Sequence, residues 1–116
     1  MMSAKGQEET GLIGREELKE KLDRGDDFKL VMVLGEWEYR AKRIRGSLRV
    51  SASRKMLQAL DPDEEIVLYD TNPACRASRF ACRFLKARGY ARVRRYAAGL
   101  EDWESAGYPL EGESVG

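Results

Sequence analysis

The segment Asp70-Thr71-Asn72-Pro73-Ala74-Cys75-Arg76-Ala77-Ser78 gathers a carboxylate, a thiol, a guanidinium and a hydroxyl within one short stretch. It joins an apolar run, Ile66 to Tyr69, to a helical pattern, so these groups meet where a strand ends and a helix begins. Unpaired N–H groups at a helix amino end, together with the helix dipole, favour a negative group there. A thiol so placed, with Arg76 and Arg79 close in sequence, is one whose thiolate is favoured, which makes Cys75 a candidate nucleophile. The plainer alternative is that Cys75 is a small residue filling a turn. Arg76, Ser78 and Arg79 are candidate anion-binding residues, joined by Arg43 from an earlier basic stretch. Cys82 falls off the apolar face by periodicity and reads as a half-buried helix residue. With both cysteines on one helix, seven positions put them about 10 Å apart, too far for a disulfide. The chain has no histidine, which argues against a zinc site, a Ser-His-Asp triad or a Cys-His pair. No metal and no cofactor is expected.

The elements that must position this segment are legible from periodicity. Arg15 to Leu22 reads as a short helix with Leu18 and Leu22 on one face, stopped by Arg24-Gly25-Asp26-Asp27. Phe28 to Leu34 is a buried strand by its continuous apolar content, as in parallel sheets covered by helices. A polar, basic stretch from Glu36 to Arg45 leads to Gly46 and a second short apolar stretch around Leu48 and Val50. Ser53 to Leu60 is a small helix with Met56, Leu57 and Leu60 inward, and Asp61-Pro62-Asp63 breaks the chain before the strand Ile66 to Tyr69. Asn72-Pro73 signals a turn before the amphipathic helix. There Ala77, Phe80, Ala81, Phe84 and Leu85 form the expected apolar face, opposite Arg79, Arg83 and Lys86, and Gly89 ends it. Val93 centres a short strand, and Leu100 to Ala106 form a last helical stretch anchored by Trp103. Trp37 is expected to pack against the first helix or, alternatively, to line a ligand rim. Helices alternating with short apolar strands imply an α/β fold: a small, mostly parallel sheet with helices on both faces.

At 116 residues the chain is expected to form one domain over residues 11–112, with short tails at 1–10 and 113–116. No apolar run approaches the ~20 residues a membrane helix needs. Met1 to Thr10 lacks the apolar core of a signal peptide, so the cytoplasm is the default expectation. A net charge of +1 hides strong segregation: neither Arg40 to Lys55 nor Thr71 to Leu100 contains an acid, and both are rich in arginine. Such stretches, if brought together, attract anions; otherwise they are merely a solvated face. The expected partner is a small anion or a protein met through this basic surface. Nucleic acid is disfavoured because no aromatic platform interleaves the basic residues.

Taken in order, Ile66-Val67-Leu68-Tyr69, Asn72-Pro73, Cys75, Ser78, Ala81, Leu85, Gly89-Tyr90, Val93, Gly99, Trp103 and Ala106-Gly107-Tyr108-Pro109 resemble a single-domain rhodanese. Earlier, Glu38-Tyr39, Ile44 and Gly46-Ser47 are similar to that family's Glu-Tyr-x-x-Gly-His-Ile-Pro-Gly-Ala motif, and Glu16-Glu17-Leu18 resemble its opening helix. The resemblance implies a loop cysteine, directly after the strand-ending tyrosine, that carries a persulfide cradled by loop N–H groups and passes sulfur to an acceptor. In this chain that position is Asp70, and a carboxylate cannot hold transferable sulfane sulfur. Other departures accompany it: Met32 and Leu34 stand for an Asp and an Arg, Lys42-Arg43 for Gly-His, Arg45 for Pro, and Ala98-Gly99 for Gly-Gly.

Three readings of the site follow. Asp70 mimics the bound anion by accepting the loop's N–H bonds, leaving a catalytically impaired module that binds an anion or a protein. Alternatively, Cys75, which resembles the second cysteine of longer family loops, carries the sulfur in a thiosulfate or persulfide sulfurtransferase. A phosphatase-like Asp70 nucleophile is the weakest of these, lacking the second acid and metal cage that chemistry wants.

Overall fold

The computed structural model describes residues 11–50 and 54–115; the expected tail at 1–10 and the expected helix start at Ser53 lie outside them. The elements run α1 (Arg15–Arg24), β1 (Lys29–Met32), α2 (Glu36–Ala41), β2 (Arg43–Ile44), β3 (Leu48–Arg49), α3 (Arg54–Ala59), β4 (Ile66–Tyr69), α4 (Ala77–Lys86), β5 (Val93–Tyr96), α5 (Gly99–Ser105) and β6 (Leu110–Glu111).

Four strands form one parallel sheet in the order β3-β1-β4-β5. The central strand, β4, is buried at every position, as a strand covered on both faces must be. Its register aligns Met32, Tyr69 and Tyr96 in one row, which puts the exits of three strands level with Asp70. Alternate side chains feed two cores. Val31, Ile66, Leu68 and Val93 pack with Met56 of α3, Leu60 just beyond it, and Ala81, Cys82 and Leu85 of α4. Leu30, Met32, Val67, Tyr69 and Tyr96 pack with Leu18 of α1 and Trp103 of α5. The expected α/β layer with helices on both faces is what forms.

Trp103 is 1% exposed, its indole N–H donating to the Pro109 carbonyl oxygen at 2.9 Å, and Tyr108 stands edge-on against its ring. Buried Tyr96 donates to Asp102 Oδ2 at 2.5 Å, while Arg15 holds Oδ1 of the same carboxylate at 3.0 Å. Burial, followed by the Asp102 carboxylate, pushes the Tyr96 phenol far above its ordinary range. Beyond the sheet, β2 and β6 pair antiparallel. The backbone N–H groups of Glu113 and Ser114 donate to the carbonyls of Arg40 and Ala41.

Several expectations are corrected. The polar stretch after β1 contains helix α2, which has no buried residue and therefore no apolar period to betray it. Trp37 on that helix is 85% exposed and does not pack against α1. On α4 the buried residues are Ser78, Ala81, Cys82 and Leu85, so Cys82 belongs to the core and Phe80, 65% exposed, does not. The helix is rotated from the expected face because Ser78 is held inward at both its amide and its hydroxyl. Cys75 precedes the helix instead of lying on it, and both cysteines are free.

Candidate functional site

The site is built on the loop from Asp70 to Arg76, between β4 and α4. Tyr69 ends β4 with its ring fully buried. Its phenol oxygen accepts the Ile44 N–H at 2.9 Å and lies 2.6 Å from Ser47 Oγ. Burial pushes this phenol up to about 12, against the partial opposing effect of those two hydrogen bonds. The strand exit is thereby tied to the segment after β2.

Asp70, 1% exposed, turns its carboxylate to the amino end of α4, where Oδ2 accepts the Ser78 N–H at 2.7 Å. Arg76, the residue flanking the helix, gives no side-chain cap. Asp70 therefore does the work of an N-cap from eight residues away, satisfying one of the helix's orphan donors with a charged acceptor. Behind it, Arg95 on β5 donates to Ser78 Oγ at 3.3 Å.

The same loop serves a second helix end. Leu100 N–H donates to the Asp70 carbonyl at 2.8 Å and Glu101 N–H to the Thr71 carbonyl at 3.0 Å, so two main-chain oxygens of the loop accept orphan donors of α5. Gly99 permits this approach. It has φ +79°, and a Cβ there would lie 2.6 Å from the Thr71 carbonyl oxygen. Next along, Asn72 closes a tight turn: its Oδ1 accepts the Ala74 N–H and its carbonyl the Cys75 N–H, both at 3.0 Å. Cys75 sits half-exposed on that turn.

The loop amides thus do not all converge on one anion. Two turn back on Asn72, and the one at Ser78 meets Asp70. The expected contact between Asp70 and the amides around it is realised at the helix end, through one hydrogen bond in place of a ring. Cys75 holds no place at that helix end.

The other candidates separate. Ser78 is fully buried beside Asp70, and Arg76 and Arg79 are exposed at the start of α4. Arg43 lies in the β2-β6 ribbon, engaged with Glu111 Oε2 at 3.2 Å and with the Tyr39 carbonyl at 2.9 Å. Around it Arg40 pairs with Glu113 and Lys42 with Glu104, so much of the first basic stretch is neutralised within the chain. The cleft of about 290 Å³ bordered by Thr71 carries Glu38, Glu101 and Glu104 against the single cation Lys42. That field does not attract an anion into this cleft. Arg95 and the Gly99 contact were not singled out as site residues. Only Arg95's position on an alternating strand and the glycine before the last helix hinted at them.

No group of three or more His, Cys, Asp or Glu residues able to hold a metal occurs among the described residues. None of their helices is long and apolar enough to cross a membrane.

Comparison with known proteins gives a consistent picture. The model of the family described as rhodanese-like domain matches residues 14–106. None of the curated proteins matches. Among solved structures, the BH2092 protein of Bacillus halodurans is 18% identical, with 96% of this chain and 83% of that chain covered and a TM-score of 0.88. The rhodanese-like domain of the Alr3790 protein from Anabaena sp. is 22% identical over 90% of this chain and 80% of that one, at 0.78. A human single-domain sulfurtransferase is 20% identical over 82% and 96%, at 0.69. At these identities the structures establish the fold and nothing further.

Proposed function

The chain belongs to the rhodanese-like domain family, and from that premise we propose that it is a catalytically impaired member acting as a binding module. Asp70 stands at the catalytic-loop position in place of cysteine. The observation that carries the reading is the Asp70–Ser78 hydrogen bond. The carboxylate is spent on capping α4, and it offers no thiolate sulfur to attack a sulfane donor and retain the sulfur as a persulfide. Protein recognition through the basic surface is favoured over capture of a small anion. The cleft beside Thr71 is acidic, whereas exposed cations run from Arg76 along α4. Two free thiols suit a reducing compartment, which supports the cytoplasm as its place of action.

The alternative, a sulfurtransferase working through Cys75, draws support only from the half-exposed thiol on the loop. Thiosulfate-to-cyanide sulfur transfer by the intact chain and by Cys75→Ser separates the two. The binding-module reading expects both proteins to stay at the buffer rate. Turnover by the intact chain that Cys75→Ser abolishes would establish the enzyme instead.

A further inference from the structure

We propose that the outward face of α4 docks an acidic amphipathic helix of a partner protein, with Phe80 as the apolar anchor and the arginines around it as the charged rim. The proposal rests on the binding-module reading and names the face and the chemistry of its occupant.

Phe80 is the largest exposed apolar group on α4, at 65%. One helical turn before it stands Arg76 and one turn after it Arg83, with Arg79 and Lys86 to the side, all exposed. Among the described residues none of these four cations lies within ion-pair distance of a carboxylate. By contrast, Arg15, Lys21, Arg40, Lys42, Arg43 and Arg94 are all paired.

The arrangement costs the free protein stability. Arg79 and Arg83 repel at i,i+4, as do Arg76 and Arg79 and again Arg83 and Lys86 at i,i+3. Arg76 and Arg79 also sit at the amino end of the helix, where the dipole disfavours cations. Asp70 at the amino end and the dipole at the last turn, which favours Arg83 and Lys86, offset part of this cost, and an acidic partner would offset the repulsion that remains. An exposed aromatic ring bordered along one side by arginines also has the composition of an interface hot spot with its polar rim.

Geometry selects the class of polyanion. Arg76, Phe80 and Arg83 are spaced about 6 and about 4.5 Å along the axis. A second helix bearing carboxylates four residues before and three after an apolar residue has the same spacing, and each guanidinium fork can take a carboxylate two-handed. A convex helix with one exposed ring lacks the groove and the succession of rings that single-stranded nucleic acid uses. One aromatic, Phe80, does stand exposed among the basic residues, which makes nucleic acid an explicit control.

The test measures binding to the full chain, by fluorescence anisotropy, of a helical peptide carrying Glu four residues before and three after a single Leu. A peptide of equal charge with Ser for that Leu, a single-stranded oligo-dT, and phosphatidylcholine–phosphatidylserine vesicles serve as comparisons. The Leu peptide is expected to bind at least tenfold more tightly than the Ser peptide. Phe80→Ala should erase that preference and leave a weaker, salt-sensitive attraction, and Arg79→Glu/Arg83→Glu should remove both. Equal binding of the two peptides, indifference to Phe80→Ala, or tighter Phe80-dependent binding of oligo-dT or vesicles overturns the proposal. Circular dichroism verifies that the variants, all at exposed positions, are folded. Sulfur transfer is read separately, so a null peptide result leaves the module reading standing, and turnover would refute that reading without touching the peptide result.

Discussion

Asp70 Oδ2 and the backbone nitrogen of Ser78 lie 2.7 Å apart, a buried charge-assisted bond that joins the exit of the central strand to the amino end of the helix beyond the loop. Removing the acceptor with Asp70→Ala should destabilise the fold by about 1–2 kcal/mol, the range for loss of a cap. Asp70→Asn keeps an oxygen in reach of the Ser78 amide and should recover at least half of that loss. Urea denaturation of the two variants checks both values; equal losses would mean the bond contributes little.

Gly99 makes a second prediction, with its own control. Gly99→Ala forces a Cβ to within 2.6 Å of the Thr71 carbonyl at φ +79°. Gly25→Ala meets the same backbone strain at φ +72° with nothing within 4 Å. The Gly25 variant should lose about 1–2 kcal/mol, the left-handed penalty alone. The Gly99 variant should lose more and should also alter the alkylation rate of Cys75, because the loop carbonyls must move off α5. Unfolding midpoints together with that rate give the answer.

Thiol labelling separates the cysteines. Cys82, 7% exposed and packed with Leu85 and Val93, has a thiol pushed up by burial, against the milder opposing effect of Lys86 and Arg95. Iodoacetamide should modify Cys75 in the native protein and reach Cys82 only on unfolding. Mass analysis of the alkylated peptides with and without urea tests this, and native labelling of Cys82 would refute the packing of α4.

The buried phenol of Tyr69 sets an alkaline limit. Its value rises from 10.0 to about 12 on folding, so between those pH values the unfolded chain binds fewer protons than the folded one. Stability from this source is therefore intact below pH 10 and falls as pH climbs toward 12, by up to ~3 kcal/mol. Tyr96, displaced in the same direction, adds to the slope. Unfolding free energy followed from pH 9 to about 12 should be flat and then descend. Tyr69→Phe, less stable at neutral pH for want of its bonds to Ile44 and Ser47, should descend less steeply.

The parallel sheet was legible because β4 is apolar at every position and α1 and α4 carry amphipathic periods. What escaped had no period to show. Helix α2 has no fully buried residue, and the β2-β6 ribbon pairs two residues with two across a long sequence gap. Phe80 misled because Phe80, Ala81, Phe84 and Leu85 form a plausible stripe. The true rotation is set by tertiary bonds at Ser78 to Asp70 and Arg95, partners distant in sequence. At the site itself, Asp70 after the strand-ending Tyr69 was readable as the telling residue. Its role as a helix cap depended on where its carboxylate pointed.

The central claim, that a capping carboxylate occupies the place of the sulfur carrier, is tested most directly by weighing the protein after incubation with thiosulfate and removal of the excess. The wild-type chain should keep its mass, because Asp70 is a carboxylate and offers no sulfur on which a persulfide could form. A wild-type chain that gains one sulfur atom, and loses the gain on Cys75→Ser, would contradict the account.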